Sequence, residues 1–234
     1  GIGSMKIGIH QPNFMPWIGY FNKINQSDKF VFLDNVKCSK NSFFNRNRFS
    51  TSKKFSDFFW LTCSLKKESY RQNLCDVMFD QKLLKKHVKH FKIRHGKTKE
   101  QNFLEGLINL YEKQISSVTN ANLCNFNKAI INFICENLEI QTDIILASEI
   151  KNITGLKKEN LVIGIIKELD GQTYISGHGA KNYQDENKFI SQGINLQYLD
   201  QNFINTPVVN CEHVSIVDII LQEGLWKTKK MILH

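Results

Sequence analysis

Residues 6–34 read KIGIHQPNFMPWIGYFNKINQSDKFVFLD, and their order points to the fold class. Ile7 and Ile9 mark a short strand that stops at Gln11-Pro12, because proline has no N–H to give a sheet ladder. FMPWIGYFNKI suits a helix beginning near Pro16, since a proline in the first turn loses no helical hydrogen bond. FVFLD, residues 30–34, is a continuous apolar run ending in an aspartate, as a buried strand requires.

The same alternation returns at the other end of the chain. TDIILASEI holds a strand, LKKENLVIGIIKELDG a helix closed by Gly171, TYISG a strand and INLQYLD another. SIVDIILQEG reads as a final helix ended by Gly224. Between the two ends, FFWLTCSL at 58–65 predicts a third strand, and apolar residues recur at helical spacing in 103–111 and 126–138. The expected fold is α/β with a mainly parallel, Rossmann-like sheet and an inserted or appended helical block. Its expected parts are 5–80 and 141–234 for the two portions of the α/β domain and 81–140 for the helical block.

Composition narrows the class further. Of 234 residues, 41% are hydrophobic and 23% charged, which excludes disordered and collagen-like chains. No apolar run reaches the roughly 18 residues of a membrane span. No basic region followed by an apolar stretch opens the chain, so a cytoplasmic location is expected, and Gly1 to Ser4 read as a cloning remnant before Met5. Cys38, Cys63, Cys75, Cys124, Cys135 and Cys211 are scattered through apolar patterns and should be reduced. Neither CxxC nor HExxH occurs, so no metal site is expected.

The formal charge is +9, from 31 basic and 22 acidic residues. Residues 85–99, KKHVKHFKIRHGKTK, hold seven of the Lys and Arg, three His and no acid, leaving +2 for the rest. Leu84, Val88 and Phe91 recur at helical spacing here, so one side should pack and the basic side face water. The sharper reading is an anion-binding face for phosphate, RNA or an acidic carrier protein.

In a parallel sheet, ligands collect beyond the carboxyl ends of the strands. The predicted exits are His10-Gln11-Pro12-Asn13, Asp34-Asn35, Thr62-Cys63-Ser64 and Ser176-Gly177-His178-Gly179. His10 and His178 are candidate proton acceptors, and Asp34 a candidate for orienting one of them. After Asp34, a loop carries Lys37 and Lys40 and then alternates Asn45, Arg46, Asn47 and Arg48. In a strand, the two Asn would share one face and the two Arg the other, offering forked donors to phosphate. Gln11, Asn13, Lys40, Asn45, Arg46, Arg48, Ser176, Gly177 and Asn182 are therefore expected to bind substrate. Cys63 in a buried strand reads as packing, with a Cys–His nucleophile as the alternative.

HQPNFMPWIGYF, DKFVFLDNVKCSKNSFFNRNRF, WLTCSLKK, YISGHGAKNY and SIVDIILQEG, in this order, resemble the WbqC-like family over nearly the whole chain from Met5. The chain departs from that pattern at Thr62-Cys63-Ser64, where a proline is expected. The resemblance implies a cytoplasmic enzyme of bacterial surface-polysaccharide assembly, such as the O-antigen of lipopolysaccharide. Its implied reaction is N-acyl or aminoacyl transfer to the amine of a nucleotide-linked amino sugar. No bound cofactor is implied. The acyl donor would ride on an acyl-carrier protein, coenzyme A or an aminoacyl-tRNA, with 85–99 as the docking face for an acidic carrier or tRNA. Two alternatives remain open at this point: a nucleotidyl or adenylyl transferase, although no HxGH pair is present, and a non-enzymatic nucleic-acid or regulatory binding module, with Phe43, Phe44 and Tyr70 as its exposed aromatics.

Overall fold

A computed structural model of the chain describes residues 4–51, 55, 57–117, 119–199 and 210–232. Gly1 to Gly3, Asp200 and the side chain of His178 therefore lie outside the described part. The elements in chain order are β1 (Lys6–His10), α1 (Ile18–Gln26), β2 (Lys29–Phe32), β3 (Arg46–Ser50), β4 (Phe58–Thr62), β5 (Ser64–Leu65), β6 (Phe79–Asp80), α2 (Leu84–His95), α3 (Gln101–Ser116), α4 (Leu123–Asn137), β7 (Asp143–Leu146), α5 (Lys158–Glu168), β8 (Thr173–Ser176), α6 (Glu186–Ile190), β9 (Asn195–Tyr198), α7 (Ile216–Glu223) and α8 (Leu225–Ile232).

Five strands form one parallel sheet in the order β7-β2-β1-β8-β9. The alternation of β1 and β2 sends apolar residues to both faces. Ile7, Ile9 and Val31 meet Leu161, Ile165 and Ile166 of α5 in one core. Phe30 and Phe32 meet Ile18, Phe21 and Ile24 of α1 in the other. Gly8 sits between the two isoleucines of β1 because a Cβ there would collide with Ser27 and Phe30. The sheet is thus covered by helices on both sides, as the alternation of elements predicts.

Three local expectations are corrected. FFWLTCSL is not a strand of the parallel sheet: β4 pairs antiparallel with β3, and β5 pairs with β6. The run is apolar, but apolarity does not specify a partner or its direction. α1 starts at Ile18, so Pro16 precedes the helix, and its carbonyl accepts from the Ile216 N–H at 2.9 Å. α5 is closed by Asp170 in the left-handed region (φ 53°), not by Gly171. Gly224 does close α7, with φ 93°, and α8 then follows unannounced by the sequence reading.

The connection from β2 to its neighbour β7 holds β3 to β6 and α2 to α4. These elements do not build a core of their own. Phe14, Phe30, Phe91, Leu107, Ile130 and Ile216, from all three expected parts, belong to one buried cluster. Among the described residues, no helix is long and apolar enough to cross a membrane.

Candidate functional site at the strand-order reversal

The chain builds outward from β1 through β2 to β7, then returns through α5 to β8 on the other side of β1. Strand order therefore reverses between β1 and β8, the position at which the loops of doubly wound sheets leave in opposite directions and ligand crevices form. The paired register ends at Gly8 with Ile175. Two residues further along each strand stand His10 and Gly177. The two most distinctive exits in the sequence, HQPN and SGHG, thus leave from adjacent strands at the same edge.

The β1 exit is fixed from several sides. The Tyr20 hydroxyl donates to the Gln11 carbonyl at 2.6 Å, and its ring meets His10 edge-on at 4.9 Å. Asn127 Nδ2 donates to the carbonyls of Pro12 and Phe44, both at 2.8 Å. Asn47 Nδ2 donates to Phe14 O at 3.2 Å and Met15 O at 2.8 Å, holding Met15 at a φ of 42°. As expected, the alternation of β3 turns Asn47 inward and Arg48 outward. The inward asparagine braces the loop.

Electrostatics divides the roles at this edge. Burial, helped by the Lys23 ammonium, pushes His10 down to about 3, so its imidazole is neutral near pH 7. Lys23, on α1, is buried and donates to the Ile9 carbonyl at 2.7 Å. Desolvation lowers its pKa to about 8. Sequence reasoning passed over Lys23 because a lysine late in a predicted helix normally faces water. Asn13 Oδ1, Asn35 Oδ1 and Gln184 Nε2 are buried with no hydrogen-bond partner. The Oε1 of the same Gln184 side chain accepts from the Ser176 hydroxyl at 3.2 Å.

Asp34 leaves β2 at the same edge, one strand over. Its two carboxylate oxygens take the Ser148 N–H at 2.7 Å and the Ser148 hydroxyl at 2.6 Å. It ties the exits of β2 and β7 together, and its described hydrogen bonds do not reach His10. His178 begins a short 3₁₀ turn, His178–Asn182, directly after Gly177, and Asn182 is exposed.

The remaining expected residues gather elsewhere. Asn45 Nδ2 donates to Cys63 O at 3.0 Å. Lys40 lies over the Tyr70 ring at 5.6 Å. The Arg46 guanidinium stacks over Trp60 at 4.1 Å, and Arg48 sits over Phe58 at 5.0 Å and Phe43 at 5.6 Å. The outer face of the hairpin is an arginine–aromatic ladder. Phe44 is buried rather than exposed, whereas Phe43 is exposed as expected. Cys63 is fully buried and its thiol is pushed well up by desolvation, which removes it as a nucleophile. Cys38, Cys75, Cys124 and Cys135 are likewise free thiols.

A buried polar cluster also escaped the sequence reading. Asp218 of α7 accepts from the Ser50 N–H at 2.7 Å and from Gln222 at 2.8 Å, and faces His95 Nε2 at 3.4 Å. The donated hydrogen bonds hold its carboxyl below the usual range although burial acts the other way. Its signal lay in the SIVD stretch, an aspartate within an otherwise apolar helix face.

The model of the WbqC-like protein family matches residues 11–230. An uncharacterized protein of Mycobacterium tuberculosis is 26% identical over 198 residues, covering 83% of this chain and 82% of its own length. No solved structure matches.

Proposed function

The chain belongs to the WbqC-like protein family, and on that premise we propose that it is a transferase of bacterial surface-polysaccharide assembly. It holds a nucleotide-linked amino sugar in the crevice between β1 and β8 and acylates the sugar's amine. The observation that supports this reading is the meeting of the HQPN and SGHG exits at the reversal of strand order between β1 and β8. That position is where doubly wound sheets receive nucleotides.

The amine nitrogen attacks the carbonyl of an acyl group activated on its carrier. The C–N bond forms, the bond to the carrier breaks and the amine proton passes to a base. Efficient bases have a pKa near the working pH, and His10 at about 3 lies far below it. His10 is therefore assigned to hydrogen bonding with the ligand, beside the amides of Gln11 and Asn13. The base is assigned to His178, which β8 carries to the same edge.

Thermal unfolding with a uridine-diphosphate amino sugar tests this reading. Ligand at 100-fold its Kd adds about 2.7 kcal/mol, a rise of roughly 5–10 °C for a chain of this size. The rise should shrink in His10→Asn and persist in Arg46→Ala. No rise in the wild-type chain would contradict it, and release of pyrophosphate from an added nucleoside triphosphate would replace it with nucleotidyl transfer.

One observation favours a second reading. The Arg46–Trp60 and Arg48–Phe58 stacks form a basic aromatic surface of the kind on which single-stranded bases stack. A salt-dependent mobility shift with generic RNA, lost in Trp60→Ala, would support it.

A further inference from the structure

The basic residues of α2 do not all face open water. Lys86, Lys89 and His90, and then Ile93 and Arg94, recur at three- and four-residue intervals and share one helix face. With Ser50 and Thr51 at the end of β3 and Phe59 on β4, they line a cavity of about 640 Å³. Small-molecule sites run roughly 300–1,000 Å³.

Three polar atoms on this face are buried without a hydrogen-bond partner: Nε and Nη2 of Arg94, and Nε2 of His90. The two Arg94 atoms are donors, and a buried donor with no acceptor is costly, so a ligand oxygen there would relieve it; Nε2 of His90 donates or accepts according to its tautomer. The nearby carboxylate of Asp218 is already engaged by Ser50, Gln222 and His95. Phe59 and Ile93 supply apolar wall, and the His90 ring meets Phe59 edge-on at 4.9 Å. The cavity thus combines three cations, one of them a planar forked donor, and a hydrophobic side.

We propose that this cavity binds a phosphate monoester. Its dianion meets Arg94, Lys86 and Lys89, and its apolar or aromatic body lies against Phe59 and Ile93. Three positive charges, one of them a forked guanidinium, match a doubly charged group with three acceptor oxygens better than a carboxylate with two. This site is separate from the β1–β8 crevice, and the inference does not rest on the reading given to that crevice.

The test is calorimetric titration with phenyl phosphate, paired with NMR of the histidine rings. The wild-type chain should bind one equivalent saturably, shift the His90 resonances and release the probe to inorganic phosphate. Arg94→Gln should weaken binding by at least about tenfold, because charge-assisted hydrogen bonds are lost. Arg94→Lys, which keeps the charge and loses the fork, should fall between the two. Lys89→Gln covers the case in which the Arg94 variants do not fold, and should weaken binding severalfold. Lys151→Gln, remote from the cavity, should bind as the wild type does. Absence of saturable binding at millimolar phenyl phosphate would overturn the proposal. So would Arg94→Gln and Lys89→Gln variants that bind unchanged, or benzyl alcohol shifting the same resonances with equal affinity, since the cavity would then be merely apolar.

Discussion

Asn127 shows how single buried amides set the geometry of the crevice. It sits on the apolar stripe of α4 and holds the Pro12 and Phe44 carbonyls, joining the β1 exit loop to the segment before β3. Replacing it by alanine leaves two carbonyls in the core with no donor. Asn127→Ala should therefore lose on the order of 1–3 kcal/mol of stability, read from its urea midpoint. An unchanged midpoint would mean that the loop is held by its prolines alone. This role was not legible in the sequence, because the partners of Asn127 lie 115 and 83 residues away. Asp218 and His95 escaped for the same reason. What could be read at this scale was Asn47 against Arg48, because strand alternation is a local rule.

At the scale of elements, α2 behaves differently from a simple basic helix. Leu84 and Phe91 pack as their spacing predicts, but His87 and His95 complete the buried side. His87 lies between Thr62 O and the Tyr111 hydroxyl, each at 2.9 Å. A carbonyl only accepts, so Nε2 donates to it; in the neutral ring Nδ1 then accepts from the tyrosine hydroxyl. Burial pushes its pKa down to about 4. The unfolded chain, with its histidines near 6.5, binds more protons than the folded one between these values. Stability should thus be complete above about pH 6.5 and fall as the pH drops towards 4, by about 3 kcal/mol in total from His87. His10 and His90, also lowered, add in the same direction. Urea midpoints between pH 7 and 4.5 should show this slope, and His87→Phe should make it shallower, leaving the part due to His10 and His90. A flat wild-type profile would contradict a neutral, buried His87. The β3–β4 hairpin was misread at this scale because strand direction is a tertiary property, whereas the strands flanking β1 obeyed a local alternation with helices.

At the scale of the whole molecule, the parallel sheet brings the exits of five separate sequence segments to one edge, with the reversal of strand order between β1 and β8. Parallel strands and helices on both faces were legible, because each strand is a short apolar run and each helix has an apolar stripe. The order β7-β2-β1-β8-β9 was not, since it depends on which side of β1 each crossover lands. Of the residues expected at the site, His10, Asp34 and His178 follow strands of that sheet edge, whereas Asn45 and Arg46 belong to the hairpin. Asn45 is bound to Cys63 and Arg46 is stacked on Trp60. The central claim is that the β1–β8 crevice is the ligand site. It is tested most directly by a crystal structure of the chain soaked with a uridine-diphosphate amino sugar. The account predicts density for the sugar nucleotide between His10-Gln11 and Ser176-Gly177. Density stacked on Trp60 and Arg46 instead, with that crevice empty, would contradict it.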